Sequence, residues 1–540
     1  MFPKLSSASL SPRPMDPTIV QVAVRRLRPY DIDEVLGSIC WQMDNTADLV
    51  NLACASRRFT DACMRVLWAS PVFDGSPLVG MAHLFPPDLS QRLREGAASP
   101  STSSDRRRAD LSCQQDRNLR LPPKAFERFD YYARFVRALH LWHHNSESVI
   151  AWVLTQSRPG TWLFPGLVDL HLGASGDVLK TVPLYFTPTL RIVRLNHWDN
   201  HGLWELEPTE ELRQSLLSVC ALPALEKLDL ADTLYTGVEH DPQLIEGFKK
   251  LAHWLYDLRA QSFLTLPAVF AELARNTRLH TVYLNLTDGK TYHEQLHNII
   301  SSLRDHFAAL RTLGLVCTAE NAVRVMQETH RAWWSVDLQI DSAVETGQLH
   351  EITTSLFARS RDLRSFALAS PTHLLEFSDV SPALRLSTAL QPLQALHRLR
   401  SFELDITFGA GQMLGDQELV RFFRCWPDLR SFVVRCDSDH EDGALVADEE
   451  ADAAVTLLSL AAAARYCRKL ESLTLPFVST SLPDRADIPG PPATHEFELH
   501  LLRSHVHNHT ALGAFVRCLW RNAQVTCAGC IHYGRTTFRV

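Results

Sequence analysis

Cysteine and histidine concentrate near the C-terminus, with Cys518, Cys527, Cys530 and His532 preceded by His505, His507 and His509. Thiolates and imidazoles in fours close a tetrahedral shell around zinc. Only one Cys-x-x-Cys pair is present, however, where a closed structural site usually draws on two. Cys518 also falls at helical spacing with Leu512, Phe515 and Leu519, so a capping helix and a final strand are preferred to a metal site. Gly409, Gly411 and Gly415 follow an apolar run as a dinucleotide loop would, but the last glycine comes one position late for G-x-G-x-x-G. Gly173-Ala-Ser-Gly176 misses the spacing of a nucleophile elbow. Asp437 to Asp442 and Asp448 to Asp452 gather carboxylates without the central Gly and terminal Glu of a calcium loop, and read as a solvated acidic connection. No Ser/His/Asp or paired-carboxylate set appears by spacing. The sequence therefore names no catalytic residue, no metal ligand and no cofactor, and the expectation is a protein that is not an enzyme.

The elements that would carry a binding surface are clearer. From Phe126 onward an apolar-x-x-apolar-x-apolar unit recurs, beginning Val136/Leu139/Leu141, Leu167/Leu170/Leu172, Leu190/Val193/Leu195, Leu225/Leu228/Leu230 and Leu279/Val282/Leu284. It continues through Leu310, Trp333, Leu363, Leu399, Leu429 and Leu470 as lead residues, mostly about thirty residues apart, with one double-length gap between Leu225 and Leu279. Alternation at the second and third positions makes a short strand with alternate side chains inward. Helical patterns such as Glu210–Val219 and Gln417–Cys425 lie between them. Strand and helix in repeated alternation predict an α/β solenoid of parallel strands and helices over 126–540, capped near 510–540. Trp198, Trp204, Trp333 and Trp334 read mainly as packing residues, with recognition anchors as the other possibility.

Composition narrows the partners. The 540 residues are 46% hydrophobic and carry a net charge of −7, which offers no basic footprint for nucleic acid. Twelve cysteines scattered through apolar runs read as reduced core residues, pointing to cytoplasm and/or nucleus. No apolar run approaches the twenty or so residues of a membrane span, so no membrane partner is expected. Residues 1–20 read as a disordered leader. Residues 86–123, rich in Pro and Ser with Arg106-Arg107-Arg108, read as a disordered insert.

Between these lies a short helical unit, residues 31–68. Ile32, Val35, Leu36, Ile39 and Met43 form one helical stripe, Leu49, Leu52 and Ala53 a second, and Phe59, Ala62, Cys63, Val66 and Leu67 a third. Asp31, Asn45 and Ser56 stand at capping positions. So few residues keep most of their surface wet, so the unit needs a neighbour.

Glu34-Val35-Leu36, Ile39, Met43, Asp48-Leu49, Ser56-Arg57-Arg58-Phe59 and Leu67-Trp68 resemble the F-box, and the repeats resemble irregular leucine-rich repeats. The run Phe126–Arg137 entering Ala138–Leu141 is similar to the start of the repeat region in F-box proteins of mushroom-forming fungi. This resemblance implies a substrate-recognition subunit of a cullin-RING (SCF-type) ubiquitin ligase. Ile32, Val35, Leu36, Ile39, Leu49, Leu52 and Phe59 would then dock on a Skp-family linker protein, and the solenoid would bind a protein substrate. Asp31-Ile32 stand where the family has Leu-Pro. That departure supports the other reading, a recognition scaffold whose F-box has decayed and which has no ligase role.

Overall fold

A computed structural model describes residues 29–69 (except 44), 77–91 (except 89), 122–141, 150–173 (except 151, 152, 155, 156 and 159), 181–196, 210–230, 241–260, 266–286, 292–373 (except 343), 385–407, 414–435, 455–475, 492–502, 509–528 and 536–539. The chain divides into two compact units, Met1–Arg191 and Ile192–Val540.

The first unit opens with α1 (Pro29–Trp41), α2 (Thr46–Ala55) and α3 (Arg57–Leu67). Asn45 caps α2, its Oδ1 accepting from the Ala47 N–H at 2.9 Å, and Ser56 caps α3 through the Arg58 N–H at 3.4 Å. Each cap satisfies one of the free amides of a first turn. Asp31, expected at a capping position, falls inside α1, which begins at Pro29, and its side chain is outside the described residues. Cys40, Leu49, Ala53, Ala62 and Cys63 make a small core, with Leu36, Leu52 and Phe59 packed partly against it. Two of its side chains are thiols, Cys40 Sγ lying 3.5 Å from Cys63 Sγ, and burial pushes the Cys63 thiol up to about 11. Both cysteines are free.

The helical unit finds its neighbour within the same half of the chain. Trp68 packs on Tyr132 of α4 (Glu127–Ala133) with ring centroids 4.8 Å apart, and Asp61 accepts from Tyr131 and pairs with Arg134. The Ala69 carbonyl accepts from both Arg137 N and Ala138 N at 2.8 Å, at the start of β1 (Ala138–Leu141). One repeat later the Arg137 carbonyl accepts in the same way from Val168 N and Asp169 N, where β2 (Asp169–Gly173) begins parallel to β1. Ala69 thus occupies the position that a preceding repeat would fill.

The second unit alternates strands with helices: β3 (Ile192–Asn196), α5 (Glu210–Cys220), β4 (Lys227–Asp229), α6 (Pro242–Ala252), β5 (Asp257–Arg259), α7 (Pro267–Ala274), β6 (Thr281–Leu286), α8 (Tyr292–Asp305), β7 (Thr312–Cys317), α9 (Ala319–Glu328), β8 (Ser335–Ile340), α10 (Thr346–Arg359) and β9 (Ser365–His373). It continues with β10 (Ser401–Thr407), α11 (Asp416–Cys425), β11 (Ser431–Arg435), α12 (Leu457–Tyr466), β12 (Ser472–Leu475), β13 (Ala493–Leu502), α13 (His509–Leu519), β14 (Trp520–Ala528) and β15 (Thr536–Arg539). From β4 to β14 each strand pairs in parallel with the one before it, and β15 returns antiparallel on β14. Strand order following chain order is the arrangement of stacked repeats rather than of a doubly wound sheet, where the order reverses at a switch point.

A strand forms at every predicted triplet, and the double-length gap holds one more. β5 lies on Leu255, Leu258 and Ala260, all buried. Its third inward residue is an alanine, which breaks the large-apolar pattern without breaking the strand. β13 is also additional, with Phe497, Leu499 and Leu501 inward. Aromatic rings form a spine through the later repeats, Phe402 lying 6.0 Å from Phe366, 5.2 Å from Phe432 and 5.3 Å from Trp426 between centroids. Arginines tie helix ends across repeats. Arg331 donates to the carbonyl of Leu303 in the last turn of α8 and to those of His306 and Phe307 just past it, and Arg359 to those of Met326 and Gln327 in α9.

Candidate functional site

Helix α1 carries the first candidate surface. Val35 and Ile39, one turn apart, are 57% and 47% exposed, while Cys40 beside them is fully buried. Trp41 and Val50 are exposed as well, at 67% and 44%. Burying a side chain of this size yields about 1.5–3 kcal/mol, so a set left in water on so small a unit marks a surface with something to gain from a partner. The residues expected to dock therefore separate into two groups. Val35 and Ile39 lie outside. Leu49, 4% exposed, belongs to the internal core. Leu36, Leu52 and Phe59 are half-buried and line the same core. Ile32 lies on α1, and its side chain is outside the described residues. The apolar stripe in the sequence could not divide these groups, because an inward Leu and an outward Val have the same periodicity. Trp41 and Val50 were missed because they fall off that stripe.

The outward face of the second unit's strands is the other candidate. Thr281, Thr312, Ser335, Ser365, Ser401, Ser431 and Ser472 stand at one register across seven consecutive strands. Two residues further along, Arg259, Tyr283, Gly314 and Asp337 share a register on β5 to β8. The Tyr283 ring lies flat across Gly314, where a Cβ would meet it at 1.9 Å. Arg259 donates to the Tyr283 hydroxyl at 2.9 Å and sits 3.9 Å from the ring centroid, while the hydroxyl also engages Asp337. Burial pushes the Tyr283 phenol up to about 12, and burial likewise raises the Asp337 and Asp257 carboxyls above their ordinary range. Asp257 Oδ1 is buried without a hydrogen-bond partner, beside a cavity of about 200 Å³ lined by Arg194, Lys227, Asp229 and Arg259. A larger groove of about 440 Å³ lies between α11 and α12, lined by Arg421, Arg424, Arg465 and Tyr466 among others. Cations and carboxylates in the strand-face cluster neutralise each other. The cluster can orient a polar ligand, but it presents no nucleophile paired with a base.

Few residues of the chemistry-bearing motifs of the sequence fall among the described ones. Cys518 is exposed, against its expected place on the apolar stripe, while Leu512, Phe515 and Leu519 of α13 are buried. Cys530, His532, His505, His507, the run 409–413 and both acidic runs lie outside the described residues, as do Trp198 and Trp204. Among the described residues no group of His, Cys, Asp and Glu is placed to hold a metal ion. No helix among them is long and apolar enough to cross a membrane. Trp333 is buried, but Trp334 is 41% exposed. Neither the models of known protein families nor the curated proteins include a match to this chain.

Proposed function

We propose that this protein is a non-enzymatic substrate receptor of a cullin-RING ubiquitin ligase, with the helical unit 31–68 as a divergent F-box and the strand–helix repeats as an irregular leucine-rich-repeat array. The observation that carries this reading is the outward pair Val35 and Ile39 on a three-helix unit whose own core is complete without them. The unit is also fastened to the first repeat through Trp68, Asp61 and the Ala69 carbonyl. A receptor needs such stiffness, because holding a substrate near a charged transfer site works by effective concentration.

Co-purification with a Skp-family linker protein tests the assignment. The wild-type chain is expected to recover Skp, and Val35→Asp combined with Ile39→Asp to lose it while the melting temperature stays unchanged, since neither residue supports the core. Leu36 and Leu49 are poor positions for this test because charge there would unfold the unit. Failure of the wild-type chain to recover Skp, or full recovery by the double variant, would leave the scaffold reading, in which the helices only cap the repeats. The replacement of Leu-Pro by Asp31-Ile32 favours that second reading.

A further inference from the structure

The residue immediately before each strand forms a row along one edge of the second unit. Through five successive repeats it is Arg311, Trp334, Arg364, Arg400 and Arg430. Backbone bonding fixes their spacing, with Trp334 N 2.8 Å from Arg311 O, and Arg364, Arg400 and Arg430 each 2.7 Å by their N–H from the carbonyl of the residue before in the row. The row therefore advances by one strand spacing at a time, about 4.8 Å. Trp334 has the guanidinium of Arg364 4.5 Å from its ring centroid and that of Arg311 at 5.6 Å. Cation–π stacking of this kind keeps both arginines beside the exposed indole.

Charge is not evenly matched along this edge. Asp362 pairs with Arg398 at 2.6 Å, Asp428 with Lys469 at 2.6 Å, and Glu471 with Arg430 at 3.0 Å. Among the described residues no carboxylate forms an ion pair with Arg311, Arg364 or Arg400, and the Asp428 carboxylate that faces Arg400 is itself paired with Lys469. Arg311 and Arg364 thus flank an exposed indole, Arg400 follows one strand further on, and the hydroxyls of Thr312, Ser335, Ser365 and Ser401 lie next to them on the strands.

We propose that this arginine–tryptophan row docks an acidic, extended peptide segment of a partner protein. Carboxylates meet Arg364 and Arg400, and an apolar or aromatic side chain of the segment lies on Trp334. The inference rests on the reading of the repeats as a protein-capturing face and adds the class of sequence captured. A peptide is favoured over nucleic acid because the row is narrow, acids interrupt its flanks and the chain carries a net −7. Single exposed ion pairs are weak, so binding draws on several at once and weakens with salt.

Fluorescence anisotropy on the full chain with labelled deca-glutamate is the test, with deca-lysine and a single-stranded DNA oligonucleotide as controls. Deca-glutamate is expected to bind, to release as salt rises, and to bind about tenfold more weakly after Arg364→Glu with Arg400→Glu. Trp334→Ala should weaken binding by itself of an acidic peptide carrying one central Leu. Arg424→Glu with Arg465→Glu, an equal charge change on the helix side, should leave binding intact, and circular dichroism melting confirms that each variant folds. No binding, equal loss in the helix-side control, undiminished binding in the row variants, or tighter binding of DNA would overturn the proposal. Skp recovery separates the two readings, because the row variants should retain it and Val35→Asp with Ile39→Asp should lose it while still binding the peptide.

Discussion

At the scale of single residues, Gly314 is fixed by its neighbour. The Tyr283 ring occupies the space of a side chain there, and it is held by Arg259 on one side and Asp337 on the other. Gly314→Ala must displace a half-buried ring from a hydrogen-bonded position. Overpacking of that kind costs about 1–3 kcal/mol. Urea unfolding should show the loss, and Tyr283→Ala combined with Gly314→Ala should recover part of it, because the second change removes the clash. An unchanged midpoint in the single variant would show that the ring moves aside freely.

At the scale of elements, the recurring device is an arginine from one repeat closing the helix of the repeat before. Arg331 reaches three carbonyls at the C-terminal end of α8, one in its last turn and two just past it, and Phe307 there takes a left-handed φ of 54° to turn the chain. Last-turn carbonyls have no partner within their own helix, and a cation meets both their hydrogen-bonding need and the negative end of the dipole. Arg331→Met keeps most of the aliphatic packing but leaves those carbonyls unsatisfied. The expected cost is about 1–3 kcal/mol, read as a lower thermal midpoint, with the far-UV circular dichroism of the folded state retained. The same scale explains the two additional strands. β5 ends its triplet on the small Ala260, and β13 carries Leu499 and Leu501 but has Glu496 where the lead apolar residue of a triplet would stand, so each lacks one of the three apolar marks.

At the scale of the whole molecule, stacked repeats stabilise one another through neighbours rather than through a single centre. Phe402 touches the rings of Phe366, Phe432 and Trp426, so Phe402→Ala opens a cavity shared by three repeats. The cost is about 3–5 kcal/mol. Hydrogen exchange should accelerate over β9 to β11 and much less over β3 and β4, since coupling decays along the stack. Uniform acceleration across both regions would show a single cooperative core instead. The boundary between compact units falls at Arg191 and Ile192, so the three-helix stretch shares one compact unit with the first repeats.

The sequence alone determined the period, the class of element and most of the inward residues, because burial on one side of a strand or helix imposes a spacing that survives in one dimension. The strands on Leu170, Leu313 and Phe432 and the caps at Asn45 and Ser56 follow from such local rules. Only the tertiary structure decided which apolar residues of α1 to α3 face water, since Val35 and Leu36 are one residue apart and identical in kind. It alone aligned Arg311, Trp334, Arg364 and Arg400, about thirty residues apart in the chain, into one row. Register between strands is a property of pairing, and no local pattern in the chain encodes which side chains it will make neighbours.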